Sequence, residues 1–205
     1  MNKYVLKNED RIMRPVTMSD AEFIVRLRNQ PHVKGRVHDS VIDVQSQKAW
    51  LEAYFKRENE YYWIIETLDH RPIGTESLYN YNSETNTIES GRWVLLANER
   101  INLIASTIQF FDFAFDVLGV DRIVFDIVAT NKSVIRYQEL CGAVPTHVIK
   151  ESGIGGKAAD VIWYEQKAVN WPVNRAKISH FCRNIDSFET YLIDDGIMRP
   201  LDVQK

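Results

Sequence analysis

Residues 122–142 read RIVFDIVATNKSVIRYQELCG, and the fold is decided there. Arg122 to Val128 is an apolar, β-branched run of the length of a buried strand. Asn131 is a preferred N-cap residue before Lys132-Ser133-Val134. The spacing then predicts a short helix from Lys132 to Leu140, ended by Gly142. Upstream, Ile104, Ile108, Phe111, Phe115 and Leu118 recur at gaps of four, three, four and three, which predicts an amphipathic helix closed by Gly119. Before that helix come antiparallel signals. Tyr61 to Thr67 is aromatic and β-branched, Asp69-His70 is a turn, and Pro72 to Tyr79 is extended. Asn80 to Asn86 is turn-rich, and Thr87 to Leu96 resumes the strand pattern. Arg11 to Val16 is a first strand, weakened by Pro15. The capping-box pattern Ser19-Asp20-Ala21-Glu22 opens a helix to Arg28. A second helix, Val44 to Arg57, sets Ala49, Trp50, Ala53 and Tyr54 on one face. Val144 to Lys150 and Val161 to Gln166 close the series as strands around a Gly-rich loop. The order β-α-α-β-β-β-α-β-α-β-β predicts a mixed α/β sheet with a β-α-β unit in its second half and flanking helices.

Composition narrows the function classes. The 205 residues fit one domain plus an extension, and 45% hydrophobic content suffices for one sizeable core. Basic residues number 25 against 28 acidic ones, net −3, and no basic run survives, which argues against a nucleic-acid partner. Cys141 and Cys182 alone cannot make a disulfide framework or a Cys-rich zinc site. His32, His38, His70, His147 and His180 are scattered without metal-ligand spacing, so no metal is expected. Met1 to Met13 has no apolar signal region, and no run is long enough to span a membrane. A cytoplasmic protein without a membrane partner is expected.

After Gln166 the pattern changes. Trp171-Pro172 begins a segment in which Ile178, Phe181, Ile185, Phe188 and Leu192 recur at helical gaps. A C-terminal helical extension over 168–205 is expected, following a main domain over 1–167. Its stripe either docks on that domain or forms a homo-oligomer contact.

Three further segments carry a resemblance. Met13-Arg14-Pro15-Val16 leads into the first helix, Ile73-Gly74-Thr75 runs on to Leu78-Tyr79-Asn80, and Glu89-Ser90-Gly91-Arg92-Trp93 precedes Val94-Leu95-Leu96. With Ala129 to Gly142 they resemble the GNAT superfamily of acyl-CoA-dependent acyltransferases. The likeness is to the branch of ribosomal-protein N-acetyltransferases and the amino-sugar N-acyltransferases of surface-glycan pathways, and it covers roughly residues 10 to 167. It implies a GNAT-type, mostly antiparallel central sheet and acyl-CoA, as acetyl-CoA or another short acyl-CoA, as co-substrate.

Amine acylation needs an unprotonated amine, donors for an oxyanion and a proton for the departing sulfur. The resemblance puts the general-acid tyrosine at Tyr137 and the pantetheine-binding asparagine at Asn131, with Arg136 in the same segment. Asn131 also reads as a plain N-cap, and Tyr137 as a packing residue. The strand end Val94, Leu95 and Leu96 should border the co-substrate. The family's glycine-rich phosphate loop is replaced by Arg100-Ile101-Asn102-Leu103-Ile104, with Ile101 and Leu103 at glycine places. Either the turn persists without glycine and Arg100 adds charge, or coenzyme binding is weakened. The first is preferred, because backbone amides do the binding. Glu89 and Glu76 are the candidate bases, provided that they share a face. Trp93 and His38 are candidate substrate contacts; His38 is also a further candidate base, its pKa suiting the task, although a lone loop histidine is more often only solvated. Ser152-Gly153-Ile154-Gly155-Gly156 reads as a hairpin tip.

These readings give an N-acyltransferase acting on a small molecule, the primary amine of a nucleotide-linked amino sugar. A protein N-terminus or a small amine is the alternative acceptor. A degenerate binding protein without catalysis is the alternative from another class.

Overall fold

The structure is a computed structural model and describes residues 2–33, 37, 43–99, 103–151, 159–182 and 184–202. The described residues form a single sheet of ten strands. In chain order these are β1 (Tyr4–Lys7), β2 (Arg11–Pro15), β3 (Tyr61–Thr67), β4 (Pro72–Asn82), β5 (Thr87–Leu95), β6 (Arg122–Val128), β7 (Val144–Ile149), β8 (Val161–Lys167), β9 (Glu189–Asp194) and β10 (Ile197–Pro200). Across the sheet the order is β10-β9-β1-β2-β3-β4-β5-β6-β8-β7. Every neighbouring pair is antiparallel except β5 and β6, which run parallel. The helices are α1 (Ala21–Arg28), α2 (Val44–Tyr54), α3 (Leu103–Asp112), α4 (Lys132–Leu140) and α5 (Trp171–Ser179). This is the expected mixed, mostly antiparallel sheet with flanking helices.

Strand alternation builds two cores from one sheet. On β3, Trp63 and Ile65 face one way, with Leu78, Ile88, Leu95, Ile123, Phe125 and the helical residues Ile108, Phe111, Ile135 and Ile178. Tyr62 and Ile64 face the other way, with Val94 and the α1 and α2 residues Phe23, Ile24, Leu27, Leu51 and Tyr54. Each such buried apolar side chain contributes roughly 1.5–3 kcal/mol relative to exposure. α3 is buried along most of its length, polar Ser106, Thr107 and Gln109 included, and runs into a buried π-helical turn, Phe113–Val117, where the Leu118 amide donates to the Phe113 carbonyl at 3.0 Å.

The C-terminal segment corrects the expected helical extension. Only Trp171–Ser179 is α-helical. Tyr191 to Asp194 and Ile197 to Pro200 pair as a hairpin, and β9 adds to β1 through Tyr4↔Leu192 and Lys7↔Glu189. Asp195 (φ +48) and Gly196 (φ +76) form its two-residue turn, both left-handed as a type I′ turn requires. The stripe is accordingly broken: Ile178 is fully buried, Phe181 is 67% exposed, and Leu192 sits on a strand. The Trp171 indole donates to Asp112 Oδ1 at 2.7 Å and Arg175 Nε to the same carboxylate at 2.9 Å, so α5 is tied to the end of α3. β1 is a further addition, since the sequence pattern placed the first strand at Arg11. The hairpin tip Ser152 to Gly156 lies outside the described residues, between the antiparallel strands β7 and β8.

Candidate active site

β5 and β6 are in parallel register only at Thr87↔Arg122, Ile88↔Ile123 and Glu89↔Val124. Beyond Glu89 the register with β6 ends, while β5 stays on β4. There a bulge intervenes: Ser77 is opposite Gly91 and Thr75 is opposite Val94, so Arg92 and Trp93 oppose Glu76 alone. Arg92 takes up the extra residue at φ +53. Thr75 Oγ1 donates to the Arg92 carbonyl at 2.6 Å and Ser77 Oγ to the Gly91 carbonyl at 2.9 Å, fixing the kink. A cavity of about 840 Å³ opens at this splay, bordered by β5 from Glu89 to Leu95, by Phe125 to Val128 on β6, and by parts of α3 and α4.

On the α3/α4 face the cavity holds Tyr137, Trp93, Thr107 and Glu76. The Tyr137 ring tilts against Trp93 with centroids 5.6 Å apart. Its hydroxyl and Thr107 Oγ1 lie 2.7 Å apart. Burial first, then the nearby Cys141, holds the Tyr137 pKa well above its ordinary value, so the phenol keeps its proton at neutral pH. The Cys141 thiol is itself pushed up to about 12 by burial. Glu76 faces the same way as its β3 partner Trp63 and is 8% exposed. Desolvation pushes its pKa up to about 8. Its charge is close enough to add to the upward shift of Tyr137.

Glu89 is elsewhere. It pairs with Tyr79, and from Tyr79 back to Ser77 the register is regular, so Glu89 shares the face of Tyr79 and Ser77 while Glu76 takes the other. The two carboxylates therefore do not share a face of the sheet. Glu89 Oε2 accepts from Asn80 Nδ2 at 2.9 Å, and the Tyr79 hydroxyl is pushed far up, by burial and then by its bond to Glu89. Gly91 leaves the room for that hydroxyl, which a Cβ there would strike. This α1/α2 face carries an aromatic group without a local sequence signal: Trp50 from α2, Tyr62 from β3 and Tyr79 from β4, gathered around the Arg92 guanidinium. Arg28 and His32 complete it, with His32 Nε2 lying 3.0 Å from the Leu95 carbonyl.

The remaining sequence candidates divide. Val94, Leu95, Leu103 and Asn131 border the cavity, whereas Leu96, Ile104 and the exposed Arg136 are not part of its wall. His38, Arg100, Ile101 and Asn102 lie outside the described residues. Asn131 stands at the N-cap position of α4 yet makes no side-chain capping bond, and its Oδ1 accepts from Ser133 Oγ at 3.3 Å. A plain cap role does not account for it. These features fit a pantetheine thioester. The β5 edge past Glu89 has no strand partner on the β6 side among the described residues, and it offers backbone amides and carbonyls to an amide-bearing arm. Among the described residues no cluster of His, Cys, Asp and Glu could hold a metal ion, and no helix is long and apolar enough to cross a membrane.

Comparison with known proteins agrees with this geometry. The family model described as an acetyltransferase (GNAT) domain matches residues 11–144. Among solved structures, the apo form of FdhC, a nucleotide-linked sugar GNAT, is 27% identical. The match covers 88% of this chain and 99% of that one, with a TM-score of 0.71. The spermidine N-acetyltransferase of Vibrio cholerae, in complex with CoA and spermine, is 17% identical over 80% of this chain and 99% of that one, with a TM-score of 0.72. At that identity the likeness is one of fold. No curated protein matches.

Proposed function

The chain belongs to the GNAT acetyltransferase family and is an acyl-CoA-dependent N-acyltransferase, and from that premise we propose that its acceptor is the primary amine of a nucleotide-linked amino sugar. The observation that carries this reading is the 27% identity, over nearly the whole of both chains, to a nucleotide-linked sugar GNAT. Site chemistry supports it. The face opposite Tyr137 is lined by Arg28 and Arg92, whose positive charge favours a substrate bearing phosphates over a polycation.

The roles follow from the two faces. Acyl-CoA supplies an activated thioester. Glu76, buried and with its pKa raised to about 8, is the proton acceptor for the amine: its ordinary acidity would make it too weak a base, and desolvation strengthens it. As the amine nitrogen bonds to the acyl carbon, its surplus proton passes to the Glu76 carboxylate, directly or through a water. Tyr137, protonated and held beside Thr107, gives its proton to the sulfur as the carbon–sulfur bond breaks. The products are the amide and the free thiol, and the proton left on Glu76 returns to Tyr137 directly or through water before the next turnover. Glu89, on the other face with Tyr79 and Asn80, contacts the acceptor instead of the reacting centre.

A small-amine acceptor is the other reading, and a thiol-release assay separates the two. Short acyl-CoAs are supplied with a panel of nucleotide-linked amino sugars and, separately, with spermidine and spermine. Turnover with at least one nucleotide amino sugar and none with polyamines is expected. Preferred turnover of polyamines contradicts the proposal.

A further inference from the structure

We propose that Arg92 determines acceptor specificity by filling, with the chain's own guanidinium, an aromatic box that would otherwise bind a cationic ligand. The guanidinium carbon lies 4.2 Å from the ring centroid of Tyr79, 4.9 Å from that of Trp50 and 5.6 Å from that of Tyr62. Three ring faces around one cation is the arrangement by which proteins recognise quaternary and alkyl ammonium groups. These rings come from α2, β3 and β4, and Trp50 and Tyr62 meet edge to face at 84°. Such a box is held by the tertiary fold and not by Arg92 alone.

Two further observations separate this from ordinary packing. Arg92 has φ +53, a conformation that glycine or asparagine adopts with less strain than arginine. The backbone therefore gives no reason for arginine at this position, and its side chain does. The box also borders the cavity, so a ligand approaching from the α1/α2 face would reach it. The guanidinium is held there by a bond from Nη1 to Ser77 Oγ at 3.2 Å and by Glu60 at 4.0 Å. Arg57 also lies over Trp50, at 5.2 Å, but its Nη1 is held by both Glu60 oxygens at 3.3 Å. The Arg92 guanidinium thus fills the box with positive charge. A polyamine or choline-like headgroup is shut out, and the surviving acceptors are those whose non-reacting part is neutral or anionic.

The inference deepens the acceptor reading but does not depend on a sugar being the substrate, and its test is a binding measurement without turnover. Tetramethylammonium chloride is titrated into wild type, Arg92→Gly and Arg92→Asn, both of which tolerate the left-handed backbone, with Trp50 fluorescence and calorimetry as readouts. Folding of each variant is checked by thermal melting. Wild type should show no saturable binding, and at least one variant should saturate with a midpoint at least about tenfold below the highest concentration tested on wild type. Adding Trp50→Ala to that variant should abolish the gain. Equal affinity in wild type and variants, saturable binding to wild type, or a gain that survives Trp50→Ala overturns the proposal. If neither variant folds, Arg92 is a structural keystone and the proposal is likewise overturned. Failure of the nucleotide-sugar reading would show separately, as absent turnover of those substrates by wild type.

Discussion

Glu76 on β4 lies opposite a bulge in β5, Glu89 lies just before that bulge, and the two meet opposite environments. Glu76 is 8% exposed, and burial pushes its pKa to about 8. Glu89 accepts from Asn80 and Tyr79 on the opposite face, among polar neighbours. The bulge that brings Arg92 and Trp93 opposite Glu76 also divides the site. A half-buried phenol and a desolvated carboxylate lie on the α3/α4 side. Aromatic rings and guanidinium groups lie on the α1/α2 side. Residue type alone does not assign a base here; the face of the sheet does.

Replacing the carboxylates one at a time separates their roles. Glu76→Gln should lower kcat by about 10²–10⁴-fold, the usual worth of a general base. Glu89→Gln should lower it by less than about tenfold and act mainly on the acceptor KM. Steady-state thiol release with saturating acyl-CoA checks both, and the reverse ranking would move the base to the other face.

Stability offers a second handle, with a defined sign. Glu76 is ionised in the unfolded chain above about pH 4.5 but stays protonated in the folded state until about pH 8. The folded state thus binds the extra proton across that window, and stability is fully present below it and is lost as pH rises through it. At about 1.4 kcal/mol per unit the loss amounts to a few kcal/mol. Urea unfolding of wild type should show this decline between pH 5 and 8. Glu76→Gln should flatten it and be the more stable protein at pH 8. The same slope in both proteins would mean that Glu76 is not desolvated.

Tyr137→Phe deletes the transferable proton and keeps the ring against Trp93. A fall in kcat of about 10²-fold with unchanged acyl-CoA affinity is expected. An unaltered kcat would reduce Tyr137 to packing. Thr107→Val should cost less, about tenfold in kcat, because it removes only the partner that orients the phenol. Thr107→Ser should restore the rate, which a purely structural loss would not predict.

Local signals made most of this fold legible. Arg122–Val128, Lys132–Leu140 and Tyr61–Thr67 were readable to the residue from apolar runs, a cap residue and β-branched content. The C-terminal hairpin was hidden because Ile185, Phe188 and Leu192 happen to keep helical gaps. Asp195-Gly196, a strong hairpin turn signal, was the feature to weigh against them. β1 is four residues long, too short for a periodicity to register. Asn131 and Tyr137, both read from one local segment, do border the cavity. The site was not legible where it depends on sheet register: the opposed faces of Glu76 and Glu89 follow from the Ser77↔Gly91 pairing and the bulge at Arg92. Trp50, Tyr62, Tyr79 and Arg92 converge only through tertiary contacts, and no spacing along the chain announces them.

The base is located by the pH dependence of kcat/KM for wild type, Glu76→Gln and Glu89→Gln, measured by thiol release from pH 6 to 9.5. A carboxylate base with a pKa near 8 gives a wild-type rate that rises with pH and levels off above about 8. Glu89→Gln should keep that limb, and Glu76→Gln should lose it along with most of the rate. A limb that survives in Glu76→Gln and vanishes in Glu89→Gln would contradict the assignment of the base to the α3/α4 face.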